Sequence, residues 1–314
     1  MHGPDGSDNE ADEADGGTSS AAAAVSNEEW LGWLRADVEK SAAYAEHTEL
    51  LLECCAIAGR WRERFWERKA LWGRIRRGRR LAKELAESVP VLARARTEAA
   101  KFEVAPGGPK LLVLDLCSGF GYLAMFLSEL LPPDKVEKIV LVDIKWALPH
   151  IERQPHHINP EHLEDAAWPI PLSTRRADLK ASGDRRALAA TFLSQAQPAL
   201  LLGVHLCSTL SLRAVELFND CPAIAHLALK PCCLPPLVFA QRAEVFEIGG
   251  HRFPACRVCA AGKWKKNKWG SGRSPCAQTR GDCAALWTHD GGRSLDSRRR
   301  ALFGLTTAGA PSDL

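Results

Sequence analysis

The sequence lacks the two kinds of segment that would place the protein in or across a membrane. No apolar run approaches the roughly 20 residues that span a bilayer. Residues 1–26 are acidic, contain no Lys or Arg and hold no apolar core, so they do not have the pattern of a signal peptide. We therefore expect no membrane partner and an intracellular location, either cytoplasmic or nuclear.

A strong charge imbalance is also missing. The net charge is +3, from 41 basic and 38 acidic residues, and it indicates no particular partner by itself. The 11 cysteines are an odd number for a chain of 314 residues. This composition fits a reduced intracellular compartment better than a disulfide scaffold.

The first third of the chain is predicted to contain a disordered tail and a helical region. Residues 1–26 are rich in Gly, Ser, Ala and acidic residues, and they cannot bury enough apolar surface to offset the entropy of ordering. Residues 27–105 have helical spacing, beginning after Ser26 with Glu29 in the capping-box position and breaking at Gly59. The segment Pro106-Gly107-Gly108-Pro109 is typical of a linker.

Strand-like apolar runs and helical segments alternate over residues 109–270. The predicted strands cover residues 111–114, 138–142, 170–175, 199–204 and 223–229, and the predicted helices cover 122–131, 184–195 and 210–219. This alternation predicts an α/β domain, with a mostly parallel sheet and helices on both faces. Residues 244–258 are predicted to form a hairpin, and residues 271–314 are predicted to be a poorly structured tail.

A glycine-rich turn follows the first strand. The strand ends in an acid, and the turn leads into a helix, which places backbone N–H groups where nucleotide-like ligands bind. The candidate ligand-binding residues here are Asp115, Cys117, Ser118, Gly119 and Gly121. The run from Gly119 to Ala124 also fits the dinucleotide pattern G-x-G-x-x-G/A, so an NAD-dependent oxidoreductase is one alternative.

The acid at the strand end separates the two cofactor classes. The order Asp115-Leu116-Cys117-Ser118-Gly119-Phe120-Gly121 resembles motif I of class I S-adenosylmethionine-dependent methyltransferases, which have a Rossmann-like fold. The resemblance implies S-adenosyl-L-methionine as the cofactor. It also implies that Asp143 binds the ribose hydroxyls and that Asp178 lies near the adenine amine.

Two later segments extend the resemblance to a smaller family. His205-Leu206-Cys207 follows the fourth strand, and Lys230-Pro231-Cys232-Cys233 follows the fifth. Together with motif I they resemble the family that contains tRNA 2′-O-methyltransferases of the acceptor stem and glutathione-S-transferase-C-terminal-domain-containing proteins. Leu-Pro-Pro follows the paired cysteines here, in place of the His-His of the tRNA enzymes, and no CHHC-type cluster precedes the domain.

The same two segments supply the candidate catalytic residues. His205 is a candidate proton acceptor, or else a structural histidine of the turn. Lys230 is a candidate for orienting an anionic substrate or lowering the pKa of a hydroxyl, or else a solvated lysine at a strand end. Cys207 and Cys232 are candidate nucleophiles, although buried, inert thiols are the favoured interpretation.

RNA is the first substrate prediction. Two basic segments with interleaved aromatic residues, Arg60–Lys83 and Lys263–Trp269, have the composition of surfaces that bind phosphates and stack on bases. A solvated helix with its aromatic side chains packed inward is the alternative for the first segment. A non-catalytic RNA-binding or scaffold protein on a methyltransferase fold is the alternative function.

No metal site is predicted. Cys256 and Cys259 have zinc-knuckle spacing, but Cys276 and Cys283, which would complete the set, are separated by six residues instead of two. Free thiols are therefore the favoured interpretation of all four.

Overall fold

The computed structural model describes residues 26–76, 80–148, 150–152, 154, 156–160, 163, 167–193, 197–231, 239, 241–248, 251–255 and 287–290. Within these residues the main sheet has the strand order β3-β2-β1-β4-β5-β8, and β6 and β7 form a separate pair. The strands are β1 (Leu111–Leu116), β2 (Val136–Asp143), β3 (Leu172–Arg176), β4 (Ala199–Val204), β5 (Ile224–Lys230), β6 (Val245–Ile248), β7 (His251–Pro254) and β8 (Trp287–Asp290).

Strands β1 to β5 are parallel, which confirms the α/β fold with a mostly parallel sheet. Both β1 and β4 are buried at every position, because apolar side chains leave each strand on both faces. In β1, Leu111 and Val113 join one core cluster, whereas Leu112 and Leu114 join the other. The sheet therefore lies between two apolar layers.

Helices supply the rest of both layers. They are α1 (Asn27–Glu39), α2 (Tyr44–Phe65), α3 (Lys69–Arg76), α4 (Arg80–Lys101), α5 (Tyr122–Leu130), α6 (Ser182–Leu188), which continues as a π-helical turn over Ala189–Leu193, and α7 (Leu210–Asp220). Helices α4 and α5 pack on one face of the sheet, and α7 packs on the other. No helix in the described part of the chain is long and apolar enough to cross a membrane.

Helix α4 runs antiparallel to β4 and β5. Near its C-terminal half, Arg94 Nε lies 3.4 Å from Nε2 of His226, close to the start of β5. Near its N-terminal half, Glu87 Oε2 lies 3.0 Å from Nε2 of His205, just after the end of β4. The early residues of α4 are therefore brought to the carboxyl edge of the sheet.

The predicted helix break at Gly59 is wrong. Helix α2 continues through Gly59, and its own irregularity is a kink at His47, near its start. A Cβ on Gly59 would lie 2.9 Å from Cδ1 of Leu31, so the missing side chain serves close packing of α1 against α2. Before α1, Ser26 Oγ accepts a hydrogen bond from the N–H of Glu29 at 3.1 Å, as the capping pattern predicts.

The last part of the chain departs from the sequence prediction. The tail was expected to contribute no regular structure, yet β8 pairs antiparallel with β5 at the edge of the main sheet. The predicted hairpin is present as β6 and β7. It packs through Phe253, which is buried in the core layer of α7.

Candidate functional site

The site lies at the carboxyl ends of β1, β2 and β4. The chain adds strands on one side of β1 as far as β3 and then crosses to the other side at β4, so the order reverses between β1 and β4. In open α/β sheets, ligands bind in the crevice outside the carboxyl ends at such a reversal. Leu116 lies beside Gly203 in this register, and His205 leaves β4 two residues later.

The turn between β1 and α5 has a left-handed backbone at three positions. The φ angle is 54° at Cys117, 53° at Gly119 and 83° at Gly121. A Cβ on Gly121 would lie 2.6 Å from Cδ2 of Leu141, whereas a Cβ on Gly119 would meet no atom within 4 Å. Gly121 is therefore required by protein packing, and Gly119 borders open space.

Asp143, at the end of β2, stabilises the turn through a hydrogen bond. Its Oδ2 accepts a hydrogen bond from the N–H of Gly119 at 2.9 Å, and its Oδ1 accepts one from the N–H of Lys145 at 2.8 Å. Two backbone donors thus hold a buried carboxylate in a fixed orientation beside the crevice.

Asp115 is the most unusual group of the site. It lies inside β1, one residue before the strand ends, and is 1% exposed. Its Oδ2 has no hydrogen-bond partner among the described residues. Burial raises the pKa of Asp115 well above its ordinary value, nearby Asp143 raises it further, and the backbone N–H of Ala124 acts in the opposite direction. A cation close to such a buried carboxyl would favour its ionised form.

Cys117 and Ser118, both predicted to bind the cofactor, have different surroundings. Burial raises the pKa of the Cys117 thiol to about 12, with Asp143 and Asp115 adding to the effect, so this cysteine is not a thiolate near neutral pH. Ser118 Oγ accepts a hydrogen bond from Nε1 of Trp146 at 3.2 Å. The role of Trp146 was not found from the sequence, because only the fold brings the segment after β2 to this turn.

Asp178 follows β3 and caps the next turn. Its Oδ1 accepts a hydrogen bond from the N–H of Lys180 at 2.8 Å, and its own N–H donates to Oδ2 of Asp184 at 2.7 Å. It is also close enough to the turn to raise the pKa of Cys117. Its predicted position near an adenine amine stays a prediction.

His205 lies at the other side of the crevice, with a φ angle of 64°. Its Nε2 is 3.0 Å from Oε2 of Glu87 and 3.8 Å from Oε2 of Glu84. Burial raises the pKa of Glu87, but contact with His205 and the charges of Lys83 and Lys230 outweigh burial, so the pKa is lowered overall. Sequence reasoning missed both glutamates, because they lie on α4 far from His205 along the chain.

The remaining candidate catalytic residues, Lys230, Cys207 and Cys232, differ in their positions. Lys230 ends β5 beside Val204, and burial lowers its pKa, with Glu87 and Glu46 acting in the opposite direction. Cys207 is a partly exposed cysteine in the turn after His205 and is not in a disulfide. Cys232 lies outside the described residues, as do Cys256, Cys259, Cys276 and Cys283.

The aromatic side chains of the basic segment Arg60–Lys83 pack mostly inward. Trp61, Phe65 and Trp72 are buried, and Trp61 lies against Phe126 with ring centroids 4.6 Å apart. These rings cannot stack on bases, which makes the interpretation as packed aromatic side chains correct for them. Trp66 is 46% exposed. The second predicted RNA segment, Lys263–Trp269, lies outside the described residues.

Two arginines of the first segment lie over the glycine turn. The guanidinium carbons of Arg74 and Arg80 are 5.8 and 5.1 Å from the ring centroid of Phe120. Arg74 also donates from Nη2 to the backbone oxygen of Asn159 at 3.1 Å, and the hydroxyl of Tyr122 donates to the backbone oxygen of Arg74 at 2.7 Å. Helix α3 and the start of α4 are thus fixed beside the crevice.

Comparison with known proteins does not assign a family. No protein-family model matches the chain, and no curated protein matches it. The fold and the geometry of the crevice are therefore what bears on function.

Proposed function

We propose that this protein is an S-adenosyl-L-methionine-dependent methyltransferase. The observation that carries the proposal is the buried Asp115 behind the glycine turn, with Oδ2 unpartnered among the described residues. A ligand with a cationic ammonium group and a sulfonium group supplies a positive charge that pairs with this carboxyl. A dinucleotide would instead bring a diphosphate towards the carboxylate of Asp143, where like charges repel.

The other half of the proposed binding mode rests on Asp143 and Gly119. The carboxylate of Asp143 is held at the end of the strand next to β1 and is suited to accept hydrogen bonds from ribose hydroxyls. Open space beside the Cα of Gly119 allows the ligand to approach the backbone closely. Cys117, Ser118 and Gly121 shape the turn without contributing a charge of their own.

The methyl acceptor is proposed to enter from the side of β4 and β5. His205 and Lys230 border that side, since His205 directly follows β4 and Lys230 is the last residue of β5. Positioning of the acceptor in line with the methyl group supplies much of the rate in such a transfer. RNA stays our first substrate class, supported by Arg74 of α3 and Arg80 of α4, which lie beside the turn.

Calorimetry tests the cofactor assignment. The full chain is titrated with S-adenosylmethionine, S-adenosylhomocysteine and NAD, and the Asp143→Ala variant is titrated in parallel. We expect saturable binding of the two sulfur ligands and at least about tenfold weaker binding in the variant, since a buried charged partner contributes more than 1.4 kcal/mol. Binding of NAD without S-adenosylmethionine would support an oxidoreductase instead.

Labelled methyl transfer tests the activity. The protein and S-adenosylmethionine with a labelled methyl group are added to separated RNA, protein and small-molecule fractions of a cell extract. Label in one fraction identifies the acceptor class. Cofactor binding with no label in any fraction would favour the scaffold function, since a fold does not guarantee activity.

A further inference from the structure

Glu84, Glu87 and His205 bring three potential metal ligands to one place. One carboxylate oxygen from each glutamate and one imidazole nitrogen all lie within 4.8 Å of one another. We propose that these three side chains bind a divalent first-row transition-metal ion at the β4 side of the crevice. This inference stands independently of the proposed function, because metal binding does not require S-adenosylmethionine.

The distances suit ligands of a single ion. Metal–ligand bonds of about 2.1 Å in an octahedral site place neighbouring ligand atoms about 3.0 Å apart, and a tetrahedral site places them about 3.4 Å apart. His205 Nε2 lies 3.0 Å from the Glu87 oxygen and 3.8 Å from the Glu84 oxygen. Small rotations of partly exposed glutamate side chains are enough to bring both within bonding distance of one ion.

The surroundings of Glu87 Oε2 and His205 Nε2 favour a bound metal ion over a simple ion pair. Glu87 Oε2 and His205 Nε2 are both inaccessible to solvent, and neither has a hydrogen-bond partner of proper geometry among the described residues. The two atoms lie 3.0 Å apart without the geometry of a hydrogen bond. A bound cation would satisfy both of these buried polar atoms.

The scaffold holds the ligands from two directions. Glu84 and Glu87 are three residues apart on α4 and therefore share one face of that helix. His205 comes from the turn after β4, and its left-handed backbone fixes the direction in which the imidazole leaves the chain. One imidazole and two carboxylates are a donor set that suits Mn²⁺, Fe²⁺ or Zn²⁺.

Two lysines compete with a metal for the same carboxylates. Lys83 Nζ lies 3.7 Å from Oε2 of Glu87 and is 64% exposed, and Lys230 faces Glu87 from the end of β5. Since Lys83 is free to turn into solvent, a cation of higher charge can displace it. A metal bound here would lower the pKa of a hydroxyl group that it coordinates.

The test uses Mn²⁺, because this ion prefers carboxylate oxygens to the thiolates of the chain's cysteines. The metal-free full chain is titrated with Mn²⁺, and free ion is counted by electron paramagnetic resonance. We expect one saturable site per chain, at least about tenfold weaker binding in Glu84→Gln, Glu87→Gln and His205→Asn, and unchanged binding in Glu98→Gln. Glu98 is a matched control on α4, where it pairs with Arg94 and Lys101.

Two further variants distinguish metal coordination from effects on folding and on ion pairing. Asn tolerates the left-handed backbone of His205, so His205→Asn is expected to fold, and a spin-echo signal of coordinated nitrogen should be present in the wild type and absent in this variant. Lys83→Gln should bind Mn²⁺ several-fold more tightly. Absence of a saturable site in both the wild type and Lys83→Gln, or a site that survives in the Glu84→Gln/Glu87→Gln double variant, would overturn the proposal whatever the result with S-adenosylmethionine.

Discussion

The two halves of the carboxyl edge of the sheet differ in the charged groups that surround their acids. The β1–β2 half comprises Asp115, Asp143 and the turn from Cys117 to Gly121, and its charged groups are both acids. The β4–β5 half comprises His205, Lys230 and the glutamates of α4, where acids and bases face one another. Among the described residues, no cation lowers the pKa of Asp115 in the first half, whereas His205, Lys83 and Lys230 lower the pKa of Glu87 in the second.

This difference has consequences for stability as well as for binding. An acid buried without a partner reduces the stability of the folded chain when it ionises. The mixed cluster of the β4–β5 half instead stabilises the ionised form of Glu87. Four substitutions test the contrast, ordered by the expected change in the free energy of unfolding.

The largest effect is expected for Gly121→Ala in the β1–β2 half. The new Cβ would lie 2.6 Å from Cδ2 of Leu141 at a φ angle of 83°, so overpacking and left-handed strain add. We expect the free energy of unfolding to fall by about 2–5 kcal/mol, measured by urea denaturation. A loss below about 0.5 kcal/mol would mean that the turn does not have this conformation.

Asp115→Asn should stabilise the free protein and impair its binding. The amide removes an ionisable group that is buried with Oδ2 unpartnered among the described residues, so we expect a gain of about 1–3 kcal/mol near neutral pH. Affinity for S-adenosylmethionine should fall at least about tenfold, because the negative charge is lost. Denaturant unfolding and calorimetry on the same sample measure the two changes, and a variant that is both destabilised and binding-competent would contradict the account.

The pH dependence of this pair follows from the raised pKa of Asp115. Between the ordinary value of about 3.9 and the raised folded value, the unfolded chain has lost the proton and the folded chain keeps it. The contribution of Asp115 therefore makes the wild type less stable as pH rises through this window. Asp115→Asn should lack that contribution, so the stability difference between the two proteins should grow with pH.

Gly119→Ala separates binding from packing within the same turn. Its Cβ would meet no protein atom within 4 Å, so only the left-handed strain at a φ angle of 53° applies. We expect a loss of about 1–2 kcal/mol in unfolding free energy, smaller than for Gly121→Ala. Cofactor affinity should nevertheless fall at least about tenfold, since the methyl group occupies the space proposed for the ligand. Unchanged affinity would place the ligand elsewhere.

The smallest effect is expected in the β4–β5 half. Metal-free Glu87→Gln should lose less than about 1 kcal/mol of stability near neutral pH, because the ion pair with His205 is partly exposed to solvent. Since the folded pKa of Glu87 is lowered, its contribution is present above the unfolded value of about 4.3 and is lost as pH falls through the folded value. A loss as large as that of Gly121→Ala would show that the contact with His205 contributes more than a partly exposed ion pair does, whereas a gain in stability would show that the charge of Glu87 is not compensated.

Local sequence patterns predicted the strands better than the surroundings of the site. Strand β4 was predicted to the residue, because its apolar run is bounded by Pro198 and by the turn at His205. Asp115 was expected at the end of β1, but the strand includes it and continues to Leu116. Local pattern does not reveal how far a neighbouring strand extends the pairing.

Long-range contacts account for what the sequence did not reveal. Trp61 belongs to a helix rich in arginine, and its burial depends on Phe126 and Trp168, which arrive from later elements. Glu84 and Glu87 have the spacing of ordinary surface residues until α4 crosses β4 and β5. Such juxtapositions depend on the packing of whole elements, which residue spacing alone does not specify.

The most direct test is a calorimetric titration of the full chain with S-adenosylmethionine at about pH 6, in two buffers of different ionisation enthalpy. A cation bound beside Asp115 should lower the raised pKa of this carboxyl, so that binding is accompanied by proton release. We expect one ligand per chain and a net release of protons that is lost in Asp115→Asn. Absence of binding, or binding with no proton released, would contradict the assignment of this crevice to a cationic cofactor held by Asp115.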